Sequence, residues 1–209
     1  RDYYASRGLG DVYKRQQWTV TGAGSAILSK TGNGPYITHI TSGKIVDMGI
    51  KDANNMGAAM APAALDTLIC HFNDTGRSPN YYDAIITGDL GHIGKDILLE
   101  LSADKGYNIK NNYNDCGVLI FDKESQDTHS GGSGCGCSAS VLAAYILPEL
   151  AKGTWKKVLS FDRSPEGWAF LIKGESEAEV LENFAETKRE LLNLVAMYPK
   201  VEYFGGLGS

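Results

Sequence analysis

Hydrophobic and polar positions alternate between strand-like and helix-like spacing from residue 17 to about residue 159. Two runs rich in β-branched and small apolar residues, WTVTGAGSAILSK and ITHITSGKIVDMGI, predict strands. Beyond Asp52, apolar residues recur at a spacing typical of one helix face, which predicts a long helix. These residues are Met56, Met60, Ala63, Ala64 and Phe72.

The same alternation continues through the second half of this stretch. Residues 81–87 predict a buried strand that ends at GDLG, and residues 94–104 predict a helix. The run CGVLIFD predicts a further strand, residues 138–152 a helix, and KKVL the start of another strand. Strands that alternate with helices indicate an α/β fold, in which a mixed sheet is flanked by helices.

The two ends of the chain differ from this middle part. Residues 1–16 have neither an apolar period nor a helix cap, so we expect them to be disordered, as a translated adaptor remnant or as a native tail. Residues 160–209 contain the strand pattern WAFLIKG, a capping box at Ser176 and Glu179, and a final KVEYFGGLGS. We therefore expect a separate strand–helix–strand unit there.

Composition narrows the class of protein. The chain is 43% hydrophobic and 22% charged, as in soluble globular proteins, and no apolar run approaches the roughly 18 residues of a membrane span. A net charge of -5 argues against general binding of nucleic acid. The four cysteines lack the regular spacing of a disulfide framework, which favours free thiols.

The stretch GGSGCGCSAS, residues 131–140, is the first candidate for chemistry. Its glycines favour a turn with positive φ whose backbone closely approaches a pocket. Cys135 and Cys137 are interpreted as packed thiols; a reactive thiol and a metal pair are the alternatives. A structural zinc site needs four ligands, and the other two cysteines offer no matching pair, so we predict no metal.

Other candidate residues lie at predicted strand ends. Asp89 follows a buried strand, where ligands bind in α/β sheets, and is either a pocket residue or a turn residue. Asn114 and Asp115 either form a turn before the strand CGVLIFD or, together with Cys116, line the same pocket. His92 is interpreted as a loop residue near a helix start.

Five segments together resemble one family. They are TVTGAGSAIL, KIVDMGIKDANNMGAAMAPAALDTL, YDAIITGDLG, YNDCGVLIFD and GGSGCGCSAS. In order and spacing they resemble the stage V sporulation protein AD (SpoVAD) family of the thiolase-like superfamily, over residues 17–159. The resemblance implies that this chain corresponds to the C-terminal one of two similar thiolase-like halves. The other half, which carries the nucleophile-position cysteine, is then absent.

The resemblance ends after KKVL, so residues 160–209 are expected to be an unrelated fragment joined by chimeric assembly or by a frameshift. This tail faintly resembles a GGDEF-like module.

What the resemblance implies is a non-enzymatic component of the SpoVA system that binds dipicolinic acid, free or as its calcium salt. The system takes dipicolinate into spores and releases it in germination. The implied partners are other SpoVA proteins and, when intact, a second copy, with peripheral attachment to the spore inner membrane or otherwise a cytoplasmic location. No cofactor is expected, and the candidate ligand-binding residues are Asp89, Asn114, Asp115, Cys116, Gly131, Gly132, Ser133 and Gly134.

An acyl-transfer enzyme of the condensing type is the alternative. That chemistry needs a cysteine nucleophile with histidine and asparagine donors. By the resemblance, Gly88 and Asp89 stand where the histidine motif would be, and Gly132 stands at the asparagine position. We therefore predict no catalytic residue; a signalling fragment, a third hypothesis, rests only on the tail.

Overall fold

The computed structural model describes residues 18–52, 55–134, 136–162 and 168–173. The strands are β1 Trp18–Thr19, β2 Tyr36–Ser42, β3 Ala84–Thr87, β4 Tyr113–Asp115, β5 Gly132–Ser133, β6 Lys157–Asp162 and β7 Trp168–Lys173. The α-helices are α1 Met56–Thr75, α2 Gly91–Asp104, α3 Cys116–Ile120, α4 Cys137–Val141 and α5 Leu147–Ala151. A short 3₁₀ helix spans Pro79–Tyr81, and a π-helical turn, Leu142–Ile146, joins α4 to α5.

A five-stranded mixed sheet organises the described residues, in the order β2-β7-β6-β3-β4. β3 pairs in parallel with both β4 and β6, whereas β7 is antiparallel to β2 and to β6. β1 and β5 form a separate parallel pair. The predicted α/β class is therefore confirmed.

Helices cover both faces of this sheet. Successive residues of a strand point to opposite faces, so the same strands contribute side chains to two apolar clusters. Ile85 and Leu159 face α1 and α2, where they pack with Leu68, Phe72 and Leu98. On the opposite face, a second apolar cluster joins the sheet to the helical segment from α4 to α5. It contains Ala84, Ile86, Cys116, Cys137, Val141, Ile146, Leu150 and Val158.

The prediction of a strand at CGVLIFD is wrong. Residues 113–115 are the strand, and the next five residues form helix α3. The Asp115 side chain accepts hydrogen bonds from the N–H groups of Gly117 and Val118, which is the arrangement of a helix N-cap. The apolar run is short enough to fit either element, so periodicity alone could not decide between them.

The first predicted strand is also wrong over most of its length. Only Trp18–Thr19 is a strand, and among the described residues its partner is β5. The second predicted strand ends at Ser42 rather than at residue 50. The irregular parts of both segments expose large apolar side chains, notably Ile27 (97%) and Leu28 (78%).

The tail departs from the expected separate unit. The predicted strand WAFLIK exists, but as β7 it lies inside the main sheet, with register pairs from Lys157–Lys173 to Asp162–Trp168 along β6. The expectation that this strand stays apart from the sheet is therefore wrong. Residues 174–209, and with them the predicted helix and last strand, lie outside the described residues, as do residues 1–16.

In the described part of the chain, no helix combines the length and the apolar character that crossing a bilayer requires.

Candidate functional site

The carboxyl ends of β3 and β4 meet the glycine turn at one edge of the sheet. Asp89 follows β3, Asp115 ends β4, and both are buried. The N–H of Gly134 lies 3.4 Å from Asp89 Oδ2. A side chain on Gly117 would contact the carbonyl oxygen of Gly132, so helix α3 also packs directly against the turn. The structure thus brings the predicted site residues of three segments together.

Asp115 links three elements through its carboxylate. Oδ2 accepts hydrogen bonds from Thr87 Oγ1 (2.7 Å) and from the N–H of Leu90 (2.8 Å). Oδ1 accepts from the N–H groups of Gly91 (2.9 Å) and Gly117 (2.9 Å). Because the carboxylate ties the end of β3 to the starts of α2 and α3, Asp115 positions the site rather than facing a ligand.

A chain of hydroxyl groups supports this carboxylate. Thr87 donates its only hydroxyl hydrogen to Asp115, so the Tyr113 hydroxyl, 2.9 Å from Thr87 Oγ1, is the donor of their shared hydrogen bond. Burial raises the pKa of Asp115, and the hydrogen bonds from Thr87 and from the backbone oppose this shift. Burial, followed by the charge of Asp115, also raises the pKa of Tyr113 well above its usual value. Tyr113 therefore stays a neutral donor.

Asn114 points to a different set of partners. Its Oδ1 accepts from Lys95 Nζ at 2.8 Å and from the N–H of Asp115 at 2.9 Å. Lys95 lies on α2 and is half-buried, with its ammonium 6.0 Å from the ring centroid of Tyr113. Asn114 is thus a half-buried polar residue at this edge with a cation beside it.

The glycine turn is close-packed. Gly131 has φ +128°, and a side chain there would contact the backbone of Gly91 and His92. Gly134 also has positive φ, at +118°. Gly132 is outside the positive-φ range, contrary to our expectation, and glycine is needed there because a Cβ would overlap the ring of Phe121. Steric exclusion, not backbone conformation, restricts position 132.

The described cysteines of this site are packed thiols. Cys116 and Cys137 are buried, and burial, followed by the charges of Asp115 and Asp89, raises the pKa of Cys137 to about 12. This direction is opposite to the lowered pKa of a reactive thiol. Cys135 lies outside the described residues. Within the ranges that the structure covers, no group of His, Cys, Asp and Glu side chains is arranged to hold a metal ion.

His92 lies in the first turn of α2 rather than in the loop before it. Its Nε2 is buried and has no hydrogen-bond partner among the described residues. The backbone of His92 borders Gly131, so the residue lies beside the glycine turn.

Sequence reasoning missed Thr87, Tyr113, Lys95 and Phe121. The first three take part in hydrogen bonds to Asp115, Thr87 and Asn114, respectively, and Phe121 fills the space beside Gly132. Lys95 follows Gly91, the first residue of α2, by four positions, which is about one helical turn. The two residues therefore share one face of the helix, so helix geometry could have placed Lys95 near the strand end. Nothing in the sequence pattern indicated the contact between Phe121 and Gly132.

The fold and this edge define an α/β protein with a polar, glycine-rich site at the carboxyl ends of parallel strands, which is where ligands bind in open α/β sheets. Residues 10–163 match the model of the family Stage V sporulation protein AD (SpoVAD), and the chain belongs to that family. It is also 43% identical over 140 residues to Stage V sporulation protein AD of Bacillus subtilis (strain 168).

That alignment covers 67% of this chain and 41% of the relative, so the chain spans about two fifths of the relative's length. Membership of the family supports a role in sporulation. The matched range extends a few residues beyond 17–159 at either end.

Proposed function

We propose that this chain is the dipicolinate-binding part of a non-enzymatic component of the SpoVA system, which takes dipicolinic acid into spores and releases it in germination. Family membership supplies the link to sporulation. The observation that carries the proposal is the edge where β3, β4 and the glycine turn meet, because buried and half-buried polar groups from separate segments converge there.

The chemical state of the site residues favours binding over covalent catalysis. A nucleophilic cysteine needs a thiolate, and the buried Cys137 has its pKa raised to about 12. A general base needs a free acceptor, yet the carboxylate of Asp115 accepts hydrogen bonds from Thr87 and from several backbone N–H groups. We therefore rank the acyl-transfer enzyme second.

The glycine turn supports the site from within. The N–H of Gly131 donates to the carbonyl oxygen of Thr128 at 2.9 Å, and that of Gly134 faces Asp89. These donors are already engaged, so we assign to residues 131–134 the role of shaping the pocket wall. The ligand's carboxylates then need donors from neighbouring side chains.

Partners and location follow from the same proposal. We propose that the intact protein forms a homodimer, contacts other SpoVA proteins and attaches peripherally to the spore inner membrane. Its ligand is dipicolinate, free or as the calcium salt, and nucleic acid is not a partner.

Calorimetry tests the proposal directly. The full chain is titrated with dipicolinate, with and without calcium, and benzoate serves as a control aromatic acid with one carboxylate. We expect saturable binding of dipicolinate and none of benzoate at the same concentrations. In parallel, the chain is incubated with acyl-CoA and malonyl thioesters, and release of free thiol is measured.

Thiol release above the level of a heat-denatured sample, together with absent dipicolinate binding, would favour the condensing enzyme instead.

A matched pair of variants then locates the function. Gly132→Val should abolish dipicolinate binding, because the side chain would displace Phe121. Cys137→Ser should leave the affinity within about threefold, roughly 0.6 kcal/mol.

A further inference from the structure

The predicted site has a charge problem. Its eight residues include two carboxylates, Asp89 and Asp115, and no cationic side chain. Both carboxylates are buried, where like charges repel more strongly than in water. A dicarboxylate that binds here needs a positive charge in contact with it.

Lys95 supplies a cation at this edge. Its Nζ donates to Asn114 Oδ1 at 2.8 Å, and the side chain is half-buried beside the ring of Tyr113. An ammonium group carries three protons, so two remain for another acceptor. Lys95 lies in the second turn of α2, the helix whose first N–H is held by Asp115.

Asn114 is oriented to act together with Lys95. Its Oδ1 accepts hydrogen bonds from both Lys95 and the N–H of Asp115, which fixes the plane of the amide. The Nδ2 group, a donor of two hydrogen bonds, is then the part of the side chain that can meet an anion. Two donors at one strand end match the two oxygens of one carboxylate.

We propose that Lys95 and Asn114 form the carboxylate subsite of the site, in which the Lys95 ammonium and the Asn114 amide together bind one carboxylate of a small aromatic dicarboxylate. This inference rests on the proposed function and adds a specificity-determining residue, Lys95, to it. The subsite binds without requiring a bridging calcium ion, because the protein itself provides the positive charge.

The experiment compares dipicolinate binding by four variants in calcium-free buffer. Lys95→Gln removes the charge and should weaken binding about tenfold, the lower end for a hydrogen bond to a charged group. Lys95→Arg keeps the charge and should recover part of the affinity. Lys105→Gln is the matched control, since it makes the same change at the exposed C-terminal end of α2, ten residues or about 15 Å away.

Asn114→Asp is the fourth variant. It keeps the contact with Lys95 but replaces the donor amide by a carboxylate, so it should weaken binding at least as much as Lys95→Gln. Its circular dichroism is compared with that of the parent to check that the variant is folded. A folded Asn114→Asp variant tests the subsite even if Lys95→Gln does not fold. Ionic strength provides a readout that a structural role would not move: salt should weaken binding by the parent more than binding by Lys95→Gln.

The failures of the two proposals are distinguishable. If the parent does not bind dipicolinate, the proposed function fails and this inference fails with it. If the parent binds and Lys95→Gln binds within twofold of it, or loses no more affinity than Lys105→Gln, the function stands and the Lys95 subsite is wrong.

Discussion

Phe121 and Gly132 show how strongly single residues constrain this site. A methyl group on Gly132 would overlap a carbon of the Phe121 ring. The Phe121 ring also contacts Trp18 edge-to-face, with centroids 6.1 Å apart. This contact restricts how far the ring could move away from a larger residue at position 132. The glycine turn is therefore held at its position by an aromatic side chain.

We expect Gly132→Ala to lower the free energy of unfolding by about 2 kcal/mol, the middle of the range for overpacking. In a Phe121→Ala background the same change should cost less than about 0.5 kcal/mol, because the obstructing ring is gone. Urea denaturation of the four proteins measures this cycle. Equal costs in both backgrounds would contradict the contact as the cause.

Asp115 is the second decisive residue. We expect Asp115→Asn to cost about 3 kcal/mol, because the new amide group would face N–H donors and leave them unpaired. Asp122→Asn serves as the control, since Asp122 is an exposed carboxylate with local hydrogen bonds. Similar losses for the two variants in chemical denaturation would show that Asp115 has no special role.

At the scale of elements, a buried histidine joins β2 to the rest of the core. His71 on α1 lies 2.6 Å from Thr41 Oγ1 through Nδ1 and 3.0 Å from the Tyr82 hydroxyl through Nε2. Burial, followed by the nearby charges of His39 and Arg77, lowers the pKa of His71 to about 4. The neutral ring is thus the form that fits the fold.

This pKa predicts an acid-sensitive contribution to stability. Above pH 6.5 the ring is neutral in the folded and the unfolded chain; below it, the unfolded chain binds a proton that the folded chain excludes until about pH 4. Stability should therefore fall by about 3 kcal/mol more between pH 6.5 and pH 4 in the parent than in His71→Gln. Denaturation curves at the two pH values measure this difference, and equal losses would refute it.

The sequence predicted elements well where a pattern was long and poorly where pairing partners decide. The helical period of α1 and α2 and the apolar run of β3 were sufficient. Each of the two helices buries one face, and β3 is buried on both faces. The apolar run after Asp115 became helix α3 because a side chain caps it, which periodicity does not record. The segment after Thr19 has strand-like residues, but a strand also needs a neighbouring strand to complete its hydrogen bonds.

The candidate site was predictable to a similar degree. Strand ends and glycines in the sequence located Asp89, Asp115 and the turn, because ligand sites of α/β sheets lie at carboxyl ends. The roles of these residues required the fold: Asp115 is a positioning residue rather than a pocket residue, and Lys95 reaches Asn114 across 19 positions. Contacts between distant segments are invisible to local patterns.

At the scale of the whole molecule, the sheet accommodates a strand from beyond the family match. β7 lies between β2 and β6, whereas the match to the SpoVAD family ends at residue 163. The sheet thus includes residues from both sides of the place where the resemblance stops. The origin of residues 160–209, as a chimeric join or a frameshift, stays a prediction.

The central claim is that dipicolinate binds at the edge formed by β3, β4 and the glycine turn. Amide chemical-shift mapping by NMR, with dipicolinate added to the isotope-labelled full chain, tests it most directly. We predict that the largest shifts cluster at the amides of Lys95, Asn114 and residues 131–134, and that they saturate. Shifts confined to other surfaces, or no saturable shift at all, would contradict the account.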